Sequence, residues 1–286
     1  MQRLPEIRAR LQSLADLDGV VRALRAISAA RVQQAHAVLD SIRRYTTVVQ
    51  DALADAAENL SPSRDPTAAS DDRGYVVVFG SERGFVGAFN GRLLEAGAAQ
   101  MRPHDVLLVV GSRALLAASE RHETVSWSCA MASQVGGIDE VALRVAEGLA
   151  RAGATLSAAT MTLVYSRNVG GKSQVVSETV VPFDTRPPER ERRSRPSAIS
   201  NVAHGPLLDG LVTELLFAKL AHAAAESFAS ENAARLAAME SASDNIAGKL
   251  EELRRTESEV RQEDITMELL EIVTGAEAVA RGLNRQ

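Results

Sequence analysis

Apolar residues recur at alternating three- and four-residue steps over residues 5–59, where Ile7, Leu11, Leu14, Val21, Val32, Ala35, Leu39, Ile42, Val49 and Leu53 share one register. That spacing keeps the side chains on one stripe of an α-helix and forms the seam of a coiled coil. Pro5 suits the first turn, where its missing N–H would have no intrahelical partner, and Glu6 lies near the positive helix end. Asp18, Arg25 and Ser28 interrupt the register, while Leu17, Leu24 and Ile27 move the stripe by one residue, so the seam is expected to face a different surface there. A second stripe runs from residue 206 almost to the end, through Leu211, Leu215, Ala225, Leu236, Met239, Ile246, Leu250, Leu253, Val260 and Met267. At about 1.5 Å per residue the first helix spans ~80 Å and the second ~110 Å. Helices of this length need a mate, so the two are expected to form an antiparallel coiled coil beyond which the C-terminal helix extends. Glu251 with Arg255 and Glu257 with Arg261 are expected i,i+4 pairs on its solvated face.

Between the helices the period changes. Short continuous apolar runs at 74–80, 106–111 and 160–166 suit strands buried on both faces, with helical segments near 86–101, 113–121 and 138–152 between them. This alternation predicts a mainly parallel sheet with covering helices. Residues 124–129 and 174–183 are further strands, the second antiparallel at an edge after the turn Asn168, Val169, Gly170, Gly171. Residues 60–73 carry Ser, Asp and Pro without apolar periodicity and read as a linker. Residues 184–205 set Pro187, Pro188 and Pro196 among five arginines and read as a second linker; a basic recognition patch is disfavoured because no aromatic residues are interleaved. The fold class is therefore an α/β insert on an antiparallel coiled coil. Its expected parts are an N-terminal helix over 1–59, a linker over 60–73, a Rossmann-like domain over 74–183, a Pro/Arg-rich linker over 184–205 and a C-terminal helix over 206–286.

Composition narrows the function. A hydrophobic share of 45% with 24% charged residues describes a folded chain, and only 3% aromatic residues favours long helices packed through small side chains. A net charge of −5 argues for protein partners and against nucleic acid or an anionic membrane surface. No basic N-terminal segment precedes an apolar core, and no apolar run approaches the ~20 residues that span a bilayer, so direct membrane insertion is not expected. Cys129, the lone cysteine, is expected to be a buried, inert strand residue in a reducing compartment.

Candidate chemistry is sparse. Gly171, Lys172 and Ser173 resemble the end of a phosphate-binding loop, but Ser166 stands where that loop needs its first glycine, and a strand follows where a helix should begin. Gly80, Gly84 and Gly87 follow a strand and open a helix, but their spacing is not that of a dinucleotide turn, and no acidic residue closes the next strand. A structural turn is the better reading. His36, His104, His122, His204 and His222 lack ligand spacing, and His36 and His222 read as helix packing residues. No catalytic residue, cofactor site or metal site is expected.

The last helix carries the most specific pattern. Ile265, Thr266, Glu268, Glu271, Gly275, Ala276 and Ala278 place Thr266, Leu269 and Leu270 along one side and Glu268, Glu271 and Gly275 along a neighbouring one. A polar, periodic face marked by a small residue suits sliding contact. These residues, preceded by Arg261 and Gln262, resemble the signature of the gamma subunits of F-type ATP synthases. The run from Phe228 through Glu231, Asn232 and Arg235 to Met239 is similar to the same family's preceding segment, as are Ala242, Ser243, Asp244 and Asn245. So are Ser81, Glu82, Arg83, Gly84, Phe85, Val86, Gly87 and Asn90 to its turn after the first strand, and Glu6, Ile7, Arg8, Arg10 and Leu11 to its opening. Two departures point to a divergent branch such as an auxiliary bacterial enzyme: Val86 replaces the turn's cysteine, and residues 19–26 lack the family's usual first-helix motif.

The resemblance implies a central-stalk rotor. The family's coiled coil sits within a ring of alpha and beta subunits, and its α/β domain joins the epsilon subunit and the membrane c-ring. ATP chemistry belongs to beta, so the chain itself would be non-catalytic and would take no cofactor. Arg261, Gln262 and Thr266 would contact a beta-subunit catch loop, with Glu268 supporting them. The complex would couple ion flow to ATP synthesis or hydrolysis at the cytoplasmic face of a bacterial inner membrane. A non-rotary coiled-coil adaptor and an α/β enzyme with helical arms are the alternatives from the residues alone.

Overall fold

The computed structural model describes residues 3–58, 73–154, 160–170, 172–181 and 203–283. The two expected linkers therefore lie almost wholly outside the described residues. Helix α1 runs Arg3–Glu58 and helix α5 His204–Leu283. Between them come β1 (Gly74–Phe79), α2 (Phe89–Gln100), β2 (Val106–Val110), α3 (Ser112–Glu120), β3 (Val125–Cys129), α4 (Ile138–Arg151), β4 (Thr160–Val169) and β5 (Lys172–Val181).

The sheet order is β3-β2-β1-β4-β5. Strand β1 pairs in parallel with β2 and β4, β2 pairs in parallel with β3, and β5 closes the far edge antiparallel to β4. The segment that resembled a phosphate loop is the hairpin between β4 and β5, where Gly170 takes the left-handed conformation at φ +59°. The central strands are apolar throughout because both faces are covered. Val76, Val78, Leu107 and Val109 pack with Phe89, Leu93 and Leu94 of α2 and Ala114 and Ala118 of α3. Tyr75, Val77, Phe79, Leu108 and Val110 belong to a second core with Val141 and Val145 of α4, Leu39 of α1 and Leu220 and Phe228 of α5.

One contact in this domain is tight enough to test. A Cβ at Gly148 in α4 would stand 2.6 Å from the ring of Trp127 on β3, whereas nothing lies within 4 Å of a Cβ at Gly248 in α5. In a helix interior alanine is favoured over glycine by roughly 1 kcal/mol, but overpacking a rigid ring costs about 1–3 kcal/mol. Gly148→Ala is expected to lower the melting temperature and Gly248→Ala to raise it. Thermal unfolding of both variants checks the pair, and a shared sign would contradict it.

Packing divides the chain into two compact units, Met1–Ala26 with Met239–Gln286, and Ile27–Ala238. In the first, Val21, Met239 and Ile246 are buried along the seam. Arg8 Nε meets Glu257 Oε1 at 2.8 Å and Arg25 Nε meets Glu240 Oε1 at 3.7 Å. Seventeen residues forward along α1, from 8 to 25, thus match seventeen back along α5, from 257 to 240, so the pairing is antiparallel. Glu251 pairs with Arg255 as expected, at 2.6 Å. Glu257 does not reach for Arg261; the cross-helix Arg8 takes it instead.

The expected shift of the α1 seam holds at one position, where Leu24 is half-buried and Arg25 exposed, and fails at the other two. Asp18 stays in the seam at 8% exposure, paired with Arg22, while Leu17 is 49% exposed. In the second unit Ser28 is likewise buried and Ile27 exposed. Re-phasing a continuous helix needs a change of period, and a short polar side chain with a partner nearby costs less than that. The same unit carries a smaller cluster in which Val49 and Leu53 of α1 pack on Leu215 of α5. His36 is exposed and not a packing residue.

Candidate functional site

The four residues singled out at the end of α5 share one bare stretch of helix. Every residue over 261–276 is exposed. Arg261 and Glu268, seven apart, lie on one face; Gln262 and Thr266, four apart, lie on the next. The Thr266 hydroxyl donates to the Gln262 carbonyl at 2.8 Å, which ties the threonine to the helix backbone and leaves the Gln262 amide open to solvent. Ile265, Met267, Leu269, Leu270, Ile272 and Val273 on the same stretch are 52–70% exposed. Six large apolar residues thus lie uncovered on one stretch of helix, the kind of exposed apolar surface that interaction sites carry.

A second polar group, formed within the other unit, went unread in the sequence. It joins α5 to the carboxyl ends of β1 and β4. Ser227 donates its hydroxyl to the Phe79 carbonyl at 2.5 Å, and Ser230 donates to the Ser166 carbonyl at 2.8 Å. The Glu231 carboxylate accepts the backbone N–H groups of Glu82 at 3.1 Å and Arg83 at 3.3 Å. Arg235 then donates to the carbonyls of Arg83 and Gly84, to Asn232 Oδ1 and to Glu231 at 2.5 Å. Glu231 and Arg235 are 3% and 4% exposed. Burial pushes the Glu231 carboxyl up, against the pull of Arg235 and the two amides.

The turn after β1 is held equally firmly from its own side. Ser81 N–H donates to Asn90 Oδ1 at 2.9 Å, and Asn90 Nδ2 donates to Ser81 Oγ at 2.8 Å. The Glu82 carboxylate accepts the Ser112 N–H at the start of α3, the Ser112 hydroxyl and the Met131 N–H at 2.7–3.0 Å. A carboxylate there also favours the positive end of that helix. Gly111 permits the approach, since a Cβ on it would lie 2.6 Å from the Ser81 carbonyl oxygen. Phe85, in the left-handed region at φ 62°, is left 71% exposed.

One turn earlier on α5, Glu226 is 2% exposed and gathers basic side chains from three elements. Arg43 of α1 stands at 2.8 Å, Arg167 of β4 at 3.2 Å and His222 of α5 at 3.4 Å. The His222 ring meets Tyr165 edge-on at 5.9 Å. Burial alone raises the Glu226 carboxyl, but His222, Arg43 and Arg167 outweigh it and hold the group below its ordinary value. A lowered native value gives stability that is present above the unfolded carboxylate value of about 4.3 and is lost as the pH falls through the native one. Glu226→Gln is expected to lower the melting temperature at pH 7 and to flatten its decline between about pH 5 and 3. Melting curves across that range check this, and a variant that keeps the full acid decline would contradict it.

Cys129 is half-buried in β3, and burial pushes its thiol up to about 11, so it is protonated and unreactive at neutral pH. Among the described residues no cluster of His, Cys, Asp or Glu could hold a metal, and no helix is long and apolar enough to cross a membrane.

The model of the ATP synthase family matches residues 3–279. The ATP synthase gamma chain of Rhodospirillum rubrum is 27% identical over 305 residues, covering 98% of this chain and 100% of the relative. That of Acidiphilium cryptum is 28% identical over 299 residues, with the same coverage. Among solved structures, a chain of the Euglena gracilis mitochondrial ATP synthase rotor superposes with a TM-score of 0.65 at 19% identity, covering 92% of this chain and 98% of its own. A chain of the Tetrahymena thermophila central stalk and c-ring gives 0.56 at 18% identity, covering 78% and 99%.

Proposed function

The chain belongs to the ATP synthase family, and from that premise we propose how it works as the central-stalk rotor of a rotary ATP synthase. The observation that carries the reading is the end of α5, a helix bare on every face that mixes hydrogen-bonding residues with large apolar ones. A tip of this kind needs surrounding partners, and a ring of alpha and beta subunits supplies them. Arg261 and Gln262 form hydrogen bonds to a beta-subunit loop that break and re-form as the helix turns. Thr266 joins that contact through its hydroxyl oxygen, and Glu268 supports it. Charge-assisted bonds at an exposed surface are strong enough to hold a position and weak enough to release it.

The chain does no chemistry on ATP. Its α/β domain engages an epsilon-type subunit and the membrane c-ring, so rotation of α5 links ion flow to ATP turnover on beta. Attachment to the membrane, at the cytoplasmic face, runs through those partners. Gly170, Lys172 and Ser173 take no part, because a hairpin offers no helix N-terminus to a phosphate.

Co-purification of the tagged chain from its native host tests the reading. Recovery with alpha-, beta- and epsilon-type subunits and ATPase activity is expected. Recovery alone, under conditions that keep such complexes intact, would favour the adaptor reading instead.

A further inference from the structure

In open α/β sheets, ligands bind in the crevice beyond the carboxyl ends of the strands, at the point where the strand order reverses. Here the chain proceeds outward from β1 to β2 and β3 and then returns to the other side of β1 with β4, so the reversal lies between β1 and β4. The turn after β1 offers that crevice two consecutive backbone amides, those of Glu82 and Arg83, an arrangement suited to an anion. Helix α5 fills the place. Its Glu231 carboxylate accepts both amides, and Ser227 and Ser230 bond to β1 and β4 on the two sides of the crevice. Arg235 reaches past the carboxylate to the carbonyls of Arg83 and Gly84.

We propose that Glu231 is an intramolecular anion ligand of the α/β domain, and that Ser227, Ser230, Glu231 and Arg235 are positioning residues that fix the rotation of α5 about its own axis against the sheet. The apolar part of the same contact, in which Leu220 and Phe228 stand among alanines, supplies packing, and the strip adds the directional part. Ala221, Ala223, Ala224, Ala225 and Ala229 make up much of the buried α5 surface around the strip, with Leu216, Leu220 and Phe228 among them. Dispersion contacts have little directional preference of their own, whereas hydrogen bonds weaken steeply with misalignment. The strip also explains why the crevice of a Rossmann-like domain has become a mechanical joint. The ligand-site half of the proposal stands by itself; the torsional half rests on the central-stalk reading.

Hydrogen exchange on the full chain tests the first half. In Glu231→Ala, exchange at the Glu82 and Arg83 amides is expected to quicken at least about tenfold, and added acetate, a carboxylate small enough for the vacated space, should restore protection and raise the melting temperature of the variant more than that of the parent. Should that variant fail to fold, Glu231→Gln retains one acceptor and is expected to free one amide of the two. Unchanged protection of both amides in either variant, or no acetate response specific to the alanine variant, overturns the ligand site. In the assembled complex, Glu231→Gln should reduce ion transport per ATP hydrolysed by at least about twofold, since the lost contact fixes register and not chemistry. Normal exchange changes with unaltered coupling would overturn the torsional role alone. Failure of the parent chain to assemble with ATPase subunits would instead count against the central-stalk reading.

Discussion

Arg235→Ala is expected to destabilise the folded chain by about 3–5 kcal/mol, the cost of leaving a buried carboxylate without its cation. Three further acceptors, the carbonyls of Arg83 and Gly84 and Asn232 Oδ1, lose their donor at the same time. For a unit of this size roughly 2–4 °C of melting temperature accompanies each kcal/mol, so a fall on the order of 10 °C is expected by circular dichroism. Arg255→Ala is the matched control. It also removes the arginine of an i,i+4 pair with glutamate, but that pair is 72% and 69% exposed, so its loss should cost less than about 1 kcal/mol. Equal effects of the two substitutions would contradict the account of the joint.

The second large effect concerns function and leaves the fold alone. Arg261→Ala combined with Gln262→Ala is expected to leave the melting temperature of the free chain within about 1 °C, because both side chains are exposed and neither supports the seam. In the assembled complex the same pair should lower ATP turnover about tenfold, which corresponds to losing roughly 1.4 kcal/mol of contact in the rate-limiting step. Steady-state ATPase assays measure the loss. A large fall in stability of the free chain, or full turnover in the complex, would remove these two residues from the contact.

The contrast between these variants follows what could be read from the sequence. Strands and helices were legible where one period governs a long run: the apolar runs of β1 and β2 and the seam from Leu211 to Val260 needed only local spacing. The tip's residues could be grouped from spacing alone because they lie within a few turns of one helix; that stretch is exposed, and its contact with beta is a proposal. The joint was not, because its partners are far apart in sequence. Glu231 meets amides about 149 residues away, and nothing near Glu82 announces that. A signal was nevertheless present. Glu226, Glu231 and Arg235 interrupt an alanine-rich run, with Glu231 and Arg235 in the favourable i,i+4 order, and charges on a face so rich in small residues require buried partners.

The shift expected in the α1 seam failed at Leu17 and Ile27 for the opposite reason. Local apolarity at Leu17 and Ile27 suggested a shifted stripe, yet the mate's geometry kept the original register and left both residues exposed. Glu257 shows the same competition, since a cross-helix arginine displaced the neighbour that helical spacing favoured. In each case a long-range partner overrode the local rule.

Direct observation of rotation tests the central claim. A probe attached through a cysteine at exposed Ser133, with Cys129 replaced by alanine, would report the α/β domain in the surface-held complex during ATP hydrolysis. The account predicts stepwise turning in one direction that stops when ATP is exhausted. A probe that stays fixed while the same complexes hydrolyse ATP would contradict it.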